Sequence, residues 1–392
     1  TDVKVDAAND VKVSGLAEAF IDSVSAKVRT SAGVQAEVGS DLGVVGHDVK
    51  LDVVASTELS SSDVTIDAAG TIAASAAGAM ELTAGAMAVD VAMDSSIRMG
   101  GGATVDVGDA MSVSSVTSLD VSTGGTMTSL SQDMDLYVDS MLSASVDTMV
   151  FAASDDATVS VADVLTLNTR DAAISADGDF DLLVAGSSSI SSEGMSIDAD
   201  STLAVSAGEI ATITTAELEL SASKSVEVTT EQLTVDSALS MEVFSGSSLG
   251  VTATKLEVSS FEDTTLSAGE RVTVTSADAT LNVGDTLDVS ADDTRVRNSG
   301  VVDVFAAEGT RLTSSDVTVS VADKVEVLGG GEVKVTTSSL DLSADTAASV
   351  STTDLMMSVN SGMTATVGST TQLTSTDVKV DAANDVKVSG LA

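Results

Sequence analysis

The chain has 392 residues with no Pro, Cys or Trp, and its 17 Lys and Arg against 60 Asp and Glu give a formal charge of −43. The missing Cys excludes disulfide scaffolds and thiol chemistry, and so few basic residues leave no patch that could neutralise nucleic-acid phosphates. A disordered polyanion is also excluded, because 43% of the residues are hydrophobic and disordered chains are poor in apolar residues.

The first segment of the chain returns at its other end. Residues 1–17 and 376–392 carry the same seventeen letters, TDVKVDAANDVKVSGLA, which defines a repeat period of 375 residues. We therefore divide the chain into one repeat unit, 1–375, and the start of the next identical unit, 376–392. This predicts a tandem array of units, with a single duplicated cap as the alternative. Because the chain starts at Thr1 in the middle of the pattern, we expect it to be an internal segment of a longer protein.

The stretch 68–93 is the part of the chain that most resembles a helix. It is rich in Ala and Met, which are good helix formers. Its larger apolar residues, such as Ile72, Leu82 and Met87, nevertheless fit a pattern of short strands that recurs every seven or eight residues in the rest of the chain, as described below. Gly70, Gly78 and Gly85 fall where that pattern places the corners between strands. We therefore predict strands here as well.

A short apolar unit, V-x-V, recurs through the whole chain. The first positions of successive units step by seven or eight residues, and 49 such steps over 375 residues give a mean spacing of about 7.65. Apolar residues at i and i+2 share one face of a strand but not of a helix, and the abundant Val and Thr favour extended backbone. The clearest run is Leu203, Ile210, Leu218, Val226, Leu233, Met241, Leu249 and Leu256, and a second is Val317, Val325, Val333, Leu340 and Ala348.

This pattern predicts an all-β fold, a parallel β-solenoid with a triangular cross-section. Three short strands joined by small corner residues make one coil of about 23 residues, and each strand pairs with its equivalents one coil above and below, about 4.8 Å away. The absence of Pro fits such ladders, since Pro would delete a hydrogen bond between coils.

The tracts VTVTSADATLNVGDTLDVSADD (272–293) and VEVLGGGEVKVTTSSLDLSAD (325–345) resemble the stalks of type VI secretion spikes and phage baseplate needles. They are also similar to the β-helices of secreted adhesins. The needle resemblance implies an alternative fold, an intertwined homotrimeric triple-stranded β-helix, and it carries no catalytic motif. A count of 49 steps is not a multiple of three, which favours the trimer, because a single-chain coil would return each copy rotated by one face.

Candidate cation ligands are restricted to oxygen donors. Asp177, Asp179 and Asp181 in SADGDFDLL alternate as if projecting from one strand face, and such rows suit Ca²⁺ or Mg²⁺. Weaker candidates are Asp133 with Asp135 and Asp198 with Asp200. The only His, His47, lies beside Asp48 and is more simply explained as a surface residue than as part of a catalytic triad. We expect no cofactor beyond diffuse Ca²⁺ or Mg²⁺ counterions.

The predicted function is structural. Acidic residues occupy the outward middle of units such as VEV, LEL and MEV, and a polyanionic surface keeps parallel fibres from bundling. We expect a rigid shaft segment of an extracellular filament or of a cell or virion surface stalk, without enzyme activity, a nucleic-acid partner or a membrane span. Its expected partner is itself, by end-to-end continuation or as a homotrimer. The alternatives are a polysaccharide-acting β-helix enzyme and a tail-spike or adhesin stalk that binds carbohydrate.

Overall fold

A computed structural model describes most of the chain as strands. The chain divides into two compact units, Thr1–Ala199 and Asp200–Ala392. The described residues are 2–7, 11–15, 19–30, 34–38, 41–53, 57–69, 72–76, 80–91, 93–99, 103–107, 110–115, 117–123, 126–330, 332–345, 347–367, 370–382 and 386–390.

Every regular element among the described residues is a β-strand. The strands of the first unit are β1 Asp2–Ala7, β2 Val11–Gly15, β3 Ala19–Thr30, β4 Val34–Val38, β5 Asp41–Val53, β6 Thr57–Ala68, β7 Ile72–Ala76, β8 Met80–Val91, β9 Asp94–Met99, β10 Ala103–Val107, β11 Ala110–Ser115, β12 Ser118–Thr123, β13 Thr126–Ser131, β14 Asp133–Val138, β15 Met141–Ala153, β16 Ala157–Val161, β17 Val164–Ala176, β18 Phe180–Val184, β19 Ser187–Ser191 and β20 Gly194–Ala199. Those of the second unit are β21 Thr202–Thr215, β22 Glu217–Ala222, β23 Ser225–Ser237, β24 Met241–Ser245, β25 Ser248–Ser260, β26 Thr264–Ala268, β27 Arg271–Val283, β28 Thr286–Asn298, β29 Val302–Ala306, β30 Gly309–Val321, β31 Lys324–Gly329, β32 Glu332–Ala344, β33 Ala347–Ser351, β34 Asp354–Val367, β35 Thr370–Thr374, β36 Asp377–Ala382 and β37 Val386–Gly390.

The strands pair in parallel with a step of about 23 residues, so each unit is a parallel β-solenoid. In the first unit Met141 pairs with Val164, and in the second Ser225 pairs with Ser248. One turn of the second unit consists of the long strand β23, which supplies two ladder segments, and the short strand β24, which supplies the third. The predicted all-β parallel β-solenoid and its coil of about 23 residues are therefore confirmed, whereas the triangular cross-section and the homotrimeric alternative stay predictions.

Alternating side chains of each ladder segment point into the interior. The first and third residues are the apolar pair seen in the sequence, and the fifth is a small or hydroxyl residue at the corner. Six successive segments show these buried triplets: Leu203, Val205 and Ala207; Ala211, Ile213 and Thr215; Leu218, Leu220 and Ala222; Val226, Val228 and Thr230; Leu233, Val235 and Ser237; Met241, Val243 and Ser245. The core is thus a narrow apolar column edged by small corner side chains.

One position of the predicted grid was wrong. Ile210 is 40% exposed, and Ala211 is buried in its place with an exposed fraction of 1%. Three residues separate the inward Ala207 from the next inward residue, whereas two residues separate the inward residues at the equivalent corner of β23. The pairing with β23 shifts its register at this point. An extra residue in one strand rotates the next side chain outward, which is what a β-bulge does.

The strand prediction for 68–93 is confirmed over the described residues. The stretch contains β7 and all of β8, and Ile72, Leu82 and Met87 are buried at the predicted inward positions. Gly85 lies within β8 at the predicted corner between its two ladder segments, where the pairing with β6 passes from Ala84 to Ala86, whereas Gly70 and Gly78 fall outside the described residues. Tertiary pairing therefore overrides the helix propensity of Ala and Met here.

Candidate functional site

The outward faces of the strands carry the predicted acids. Glu219, Glu227, Glu242 and Glu257 are all exposed at the middle of their V-x-V units. Because the ladders are in register, some acids lie directly over one another, as Glu219 and Glu242 do in neighbouring turns. Like charges at such positions repel each other, so this surface opposes its own assembly and any lateral contact with another acidic surface.

The corners are closed by buried hydroxyl groups. The hydroxyl of Thr230 lies 3.1 Å from the carbonyl oxygen of Glu209, in the previous turn, and 3.2 Å from that of Gln232, two residues ahead. A donor shared in this way satisfies a carbonyl that the ladder leaves free where the chain bends. The same arrangement, with one acceptor 21 or 22 residues back and another two or three ahead, occurs at Thr169, Ser237, Ser245, Ser260, Ser314 and Thr337.

Some acids at the corners have a structural role. The carboxylate of Asp156 accepts the backbone N–H of Asp179 at 2.8 Å, exactly one turn of 23 residues later. Asp263 accepts the N–H of Thr286 and Asp278 that of Val301 in the same way, both at 3.0 Å. These carboxylates each accept a backbone N–H of the following turn, so part of the negative charge holds successive turns together.

Asp177, Asp179 and Asp181 do not form one row on a strand face. β17 ends at Ala176 and β18 begins at Phe180, so the first two lie in the corner and only Asp181 lies in a strand. The corner bends tightly at Gly178, where a Cβ atom would come within 2.2 Å of Asp156 Oδ1. The chain turns here because glycine lets the two turns approach, and the predicted alternation is broken.

The pKa of Asp181 is raised, first by partial burial and then by the negative charges of Asp179 and Asp156. These three carboxylates therefore form an acidic corner that disfavours ionisation of its most buried member. In the described part of the chain, no group of three or more His, Cys, Asp or Glu side chains is arranged to hold a metal ion. The Ca²⁺ or Mg²⁺ contact at Asp177, Asp179 and Asp181 stays a prediction.

The described ladder partners of Asp135 and Asp198 are not acids. Asp135 lies between Ser112 and Thr158 in its ladder, and Asp198 pairs with Ser175. Asp200 is exposed just after β20. His47 lies in β5, and its side chain is outside the described residues, as is that of Asp48.

An open depression of about 440 Å³ on the first unit is lined by polar residues around Arg170. The guanidinium group contacts Asp147 at 3.0 Å and Asp171 at 3.1 Å, and Nη2 donates to Thr148 Oγ1. Its hydrogen bond to Asp171, followed by the charge of Asp147, raises the pKa of Arg170 further. Three of its nitrogens are thus used in contacts within the protein. Arg170 therefore links two successive turns and is poorly placed to bind an external anion.

A second set of arginine–aspartate ion pairs that links successive turns lies in the other unit. Asp293 is contacted by Arg271 at 3.1 Å, from the previous turn, and by Arg295 at 2.7 Å, from its own strand. The contact with Arg271 in the previous turn is set by the 22-residue register between β27 and β28.

The three exposed phenylalanines described in the second unit do not line a common surface. Phe244 lies in β24, Phe305 in β29 and Phe261 in the corner after β25, so they belong to different ladders or corners. Phe305 has Leu328 as its ladder neighbour, and this exposed pair is small. A carbohydrate cleft is expected to align several aromatic rings, which these positions do not do.

No known protein family, curated protein or solved structure matches this chain. Among the described residues, no helix exists that is long and apolar enough to cross a membrane.

Proposed function

We propose that this chain is a structural protein, a shaft segment of a filament or surface stalk built from tandem 375-residue β-solenoid units. It works mechanically and has no catalytic centre. Ladder hydrogen bonds and the dry apolar column resist deformation, and stability accumulates turn by turn as in other repeat proteins. An extracellular or cell- or virion-surface location and diffuse Ca²⁺ or Mg²⁺ counterions belong to the same proposal, and the intertwined homotrimer is its alternative.

The observation that carries this proposal is the length of the connections. Between residues 126 and 330 no two successive strands are separated by more than three residues. Substrate clefts on repeat folds are built from longer loops, and such loops require residues that these corners do not contain. A regular chain without insertions suits a shaft better than an enzyme.

The acidic exterior supports the same function. Outward glutamates such as Glu219 and Glu242 lie in register on neighbouring turns, although this arrangement lowers stability. A charge of −43 keeps parallel shafts apart and discourages edge-to-edge aggregation of the strands. Counterions reduce the repulsion, which is why a salty or calcium-containing environment is expected.

Electron microscopy of the protein isolated from its source, combined with mass per length, tests the proposal. Long unbranched threads are the expected result, whereas isolated short particles would contradict it. An assay on acidic and neutral polysaccharides provides the second arm. Turnover that disappears when one pair of acids is replaced would establish the enzyme instead.

A further inference from the structure

One outward column of the second unit changes the sign of its charge along its length. Its members lie at the same position of six successive ladder segments, and each pairs with the next one turn later. In order along the winding they are Glu219, Glu242, Thr265, Asp288, Arg311 and Lys334. We name these six residues the charged column. Two acids stand at one end of the charged column and two bases at the other.

Both ends of the charged column hold like charges in register. Glu219 lies over Glu242, and Arg311 lies over Lys334, and all four side chains are exposed. Like charges directly opposite on neighbouring strands destabilise a sheet. In the part of the chain that the structure describes, Glu219, Glu242 and Lys334 make no ion pair. Arg311 is 3.8 Å from Asp288, which is a long ion-pair distance. The folded chain by itself therefore leaves the charges at both ends poorly compensated.

We propose that the face carrying the charged column binds the same face of a second copy of this chain, with the two copies antiparallel. This rests on the proposed function, in which the contact joins two shafts side by side. A two-fold axis along the strand direction reverses the order of the turns and keeps each position along the strand. With the axis midway along the charged column, Glu219 of each copy lies opposite Lys334 of the other. Glu242 and Arg311 face each other in the same way.

The neighbouring outward column of the same face adds no charge to the contact. It consists of Ser221, Phe244, Ser267, Ser290, Thr313 and Thr336, which pair in the same registers. The same axis places Phe244, which is 52% exposed, over Thr313 of the second copy. The contact thus covers an exposed aromatic ring, and the hydroxyl groups can both donate and accept hydrogen bonds across it.

The charges select the antiparallel arrangement. A two-fold axis along the winding direction would place each charged residue over the neighbouring hydroxyl column of the second copy, as Glu219 over Ser221. Both like-charge pairs would then stay uncompensated. Away from this face the acids of the two copies repel each other, but at physiological ionic strength this repulsion is screened beyond about 8 Å. Ion pairs in direct contact keep more of their attraction.

The size of the face predicts a weak and reversible contact. Six turns at about 4.8 Å and segments of five residues at about 3.3 Å give roughly 480 Å² on each copy, or about 950 Å² in total. Complexes that bury less than about 1,200 Å² are typically transient. At the rim of the face, Glu217 of each copy lies opposite Glu332 of the other, which also keeps the contact weak.

Sedimentation equilibrium of the full chain at about 0.15 M NaCl, where the screening length is about 8 Å, measures the association. We expect a reversible dimer. Glu219→Lys and Lys334→Glu, each alone, put like charges opposite each other, so the dissociation constant should rise by more than about tenfold. The double variant Glu219→Lys/Lys334→Glu restores opposite charges and should return to within about threefold of the unmodified chain. Each single variant also removes a like-charge pair within the chain, so the fold should be kept, and circular dichroism checks it.

The matched control is Glu227→Lys, which makes the same change of charge at an exposed position of β23 outside this face. Glu227→Lys and Glu219→Lys reduce the net negative charge equally, so a general loss of repulsion would favour association in both. We expect Glu219→Lys to weaken the dimer and Glu227→Lys to leave it unchanged or slightly stronger.

An unmodified chain that stays monomeric at every concentration would overturn the proposal. A double variant as weak as the single ones, or equal weakening by Glu227→Lys, would overturn it too. Single threads in native material, together with a monomeric chain, would leave the proposed function standing and remove only this contact. Dimers that follow the charge pattern, without threads in native material, would do the opposite.

Discussion

Asn298 donates a hydrogen bond from Nδ2 to Oγ of Ser276, one turn below it, at a distance of 2.8 Å. Both side chains are 7% exposed, so this contact lies in the interior of the second unit. The other amide atom, Oδ1, accepts the backbone N–H of Gly300 at 2.7 Å. A buried polar side chain is tolerated here because its two ends are both satisfied.

Replacing Asn298 with Ala is expected to lower the free energy of unfolding by about 1–3 kcal/mol, because Ser276 and the Gly300 N–H lose their partner in the interior. The control is Asn168→Ala on the exposed face of β17, which should change stability little. Thermal or denaturant unfolding followed by circular dichroism measures both. Equal effects of the two substitutions would show that the buried contact is not important.

Thr264, unlike Asn298, is a buried polar residue whose hydroxyl group has no hydrogen-bond partner. Its side chain is fully buried between Met241 and Leu287 in its ladder. Thr264→Val keeps the shape and removes the unsatisfied group, so the free energy of unfolding should rise by about 1–2 kcal/mol. The matched substitution Thr230→Val removes a hydroxyl that does bond backbone carbonyls and should lower stability. A destabilised Thr264→Val variant would contradict this account of the column.

Gly284 and Gly250 differ in the space around them. A Cβ atom on Gly284 would lie 1.7 Å from the backbone oxygen of Phe261, whereas one on Gly250 would meet nothing closer than 4.0 Å, at Glu227 Cγ. Gly284→Ala should therefore destabilise the protein by about 1–3 kcal/mol through overpacking. Gly250→Ala should stabilise it by about 0.5 kcal/mol, because glycine weakens a strand interior. Unfolding midpoints of the two variants decide whether the close approach of turns at this corner is required.

The raised pKa of Asp181 predicts that the stability of the protein depends on pH. Its pKa is raised in the folded state, so the folded protein holds the proton more tightly than the unfolded chain does. The favourable contribution is present below the unfolded pKa, about 3.9, and is lost as the pH rises through the folded pKa. Asp181→Asn should therefore raise the melting temperature at pH 7 and have a smaller effect near pH 3.

The control for this pH effect is Asp198→Asn, which changes the same charge at an exposed position of the same unit. If both variants gain equally at pH 7, the effect reflects total charge and not the acidic corner formed by Asp156, Asp179 and Asp181.

Glu242 lies in register with Glu219 on the preceding turn, and both are exposed. Glu242→Lys turns a repulsive ladder pair into an attractive one and should stabilise the protein by about 0.2–1 kcal/mol. The gain should shrink in 1 M NaCl, where the screening length is about 3 Å. Melting temperatures at low and high salt measure this, and a gain that is independent of salt would point to a cause other than charge.

Much of the fold was predictable because its information is local. The spacing of residues such as Leu218, Val226 and Leu233 reports strand alternation and corner length directly, and all three are buried as expected. The candidate site was less predictable. Asp177, Asp179 and Asp181 alternate in sequence, but a corner at Gly178 separates them, and a count of residues gives no sign of it.

The sequence by itself determined the strand class, the turn of about 23 residues and the outward acids, because side-chain alternation and apolar spacing are properties of neighbouring residues. Only the tertiary structure decided which residue of β21 faces inward, since the bulge that exposes Ile210 and buries Ala211 depends on the register with β23. It also decided that corner hydroxyls such as that of Thr230 reach a carbonyl 21 residues earlier. Such contacts arise from the pitch of the winding, which places one turn on the next and which no local pattern encodes.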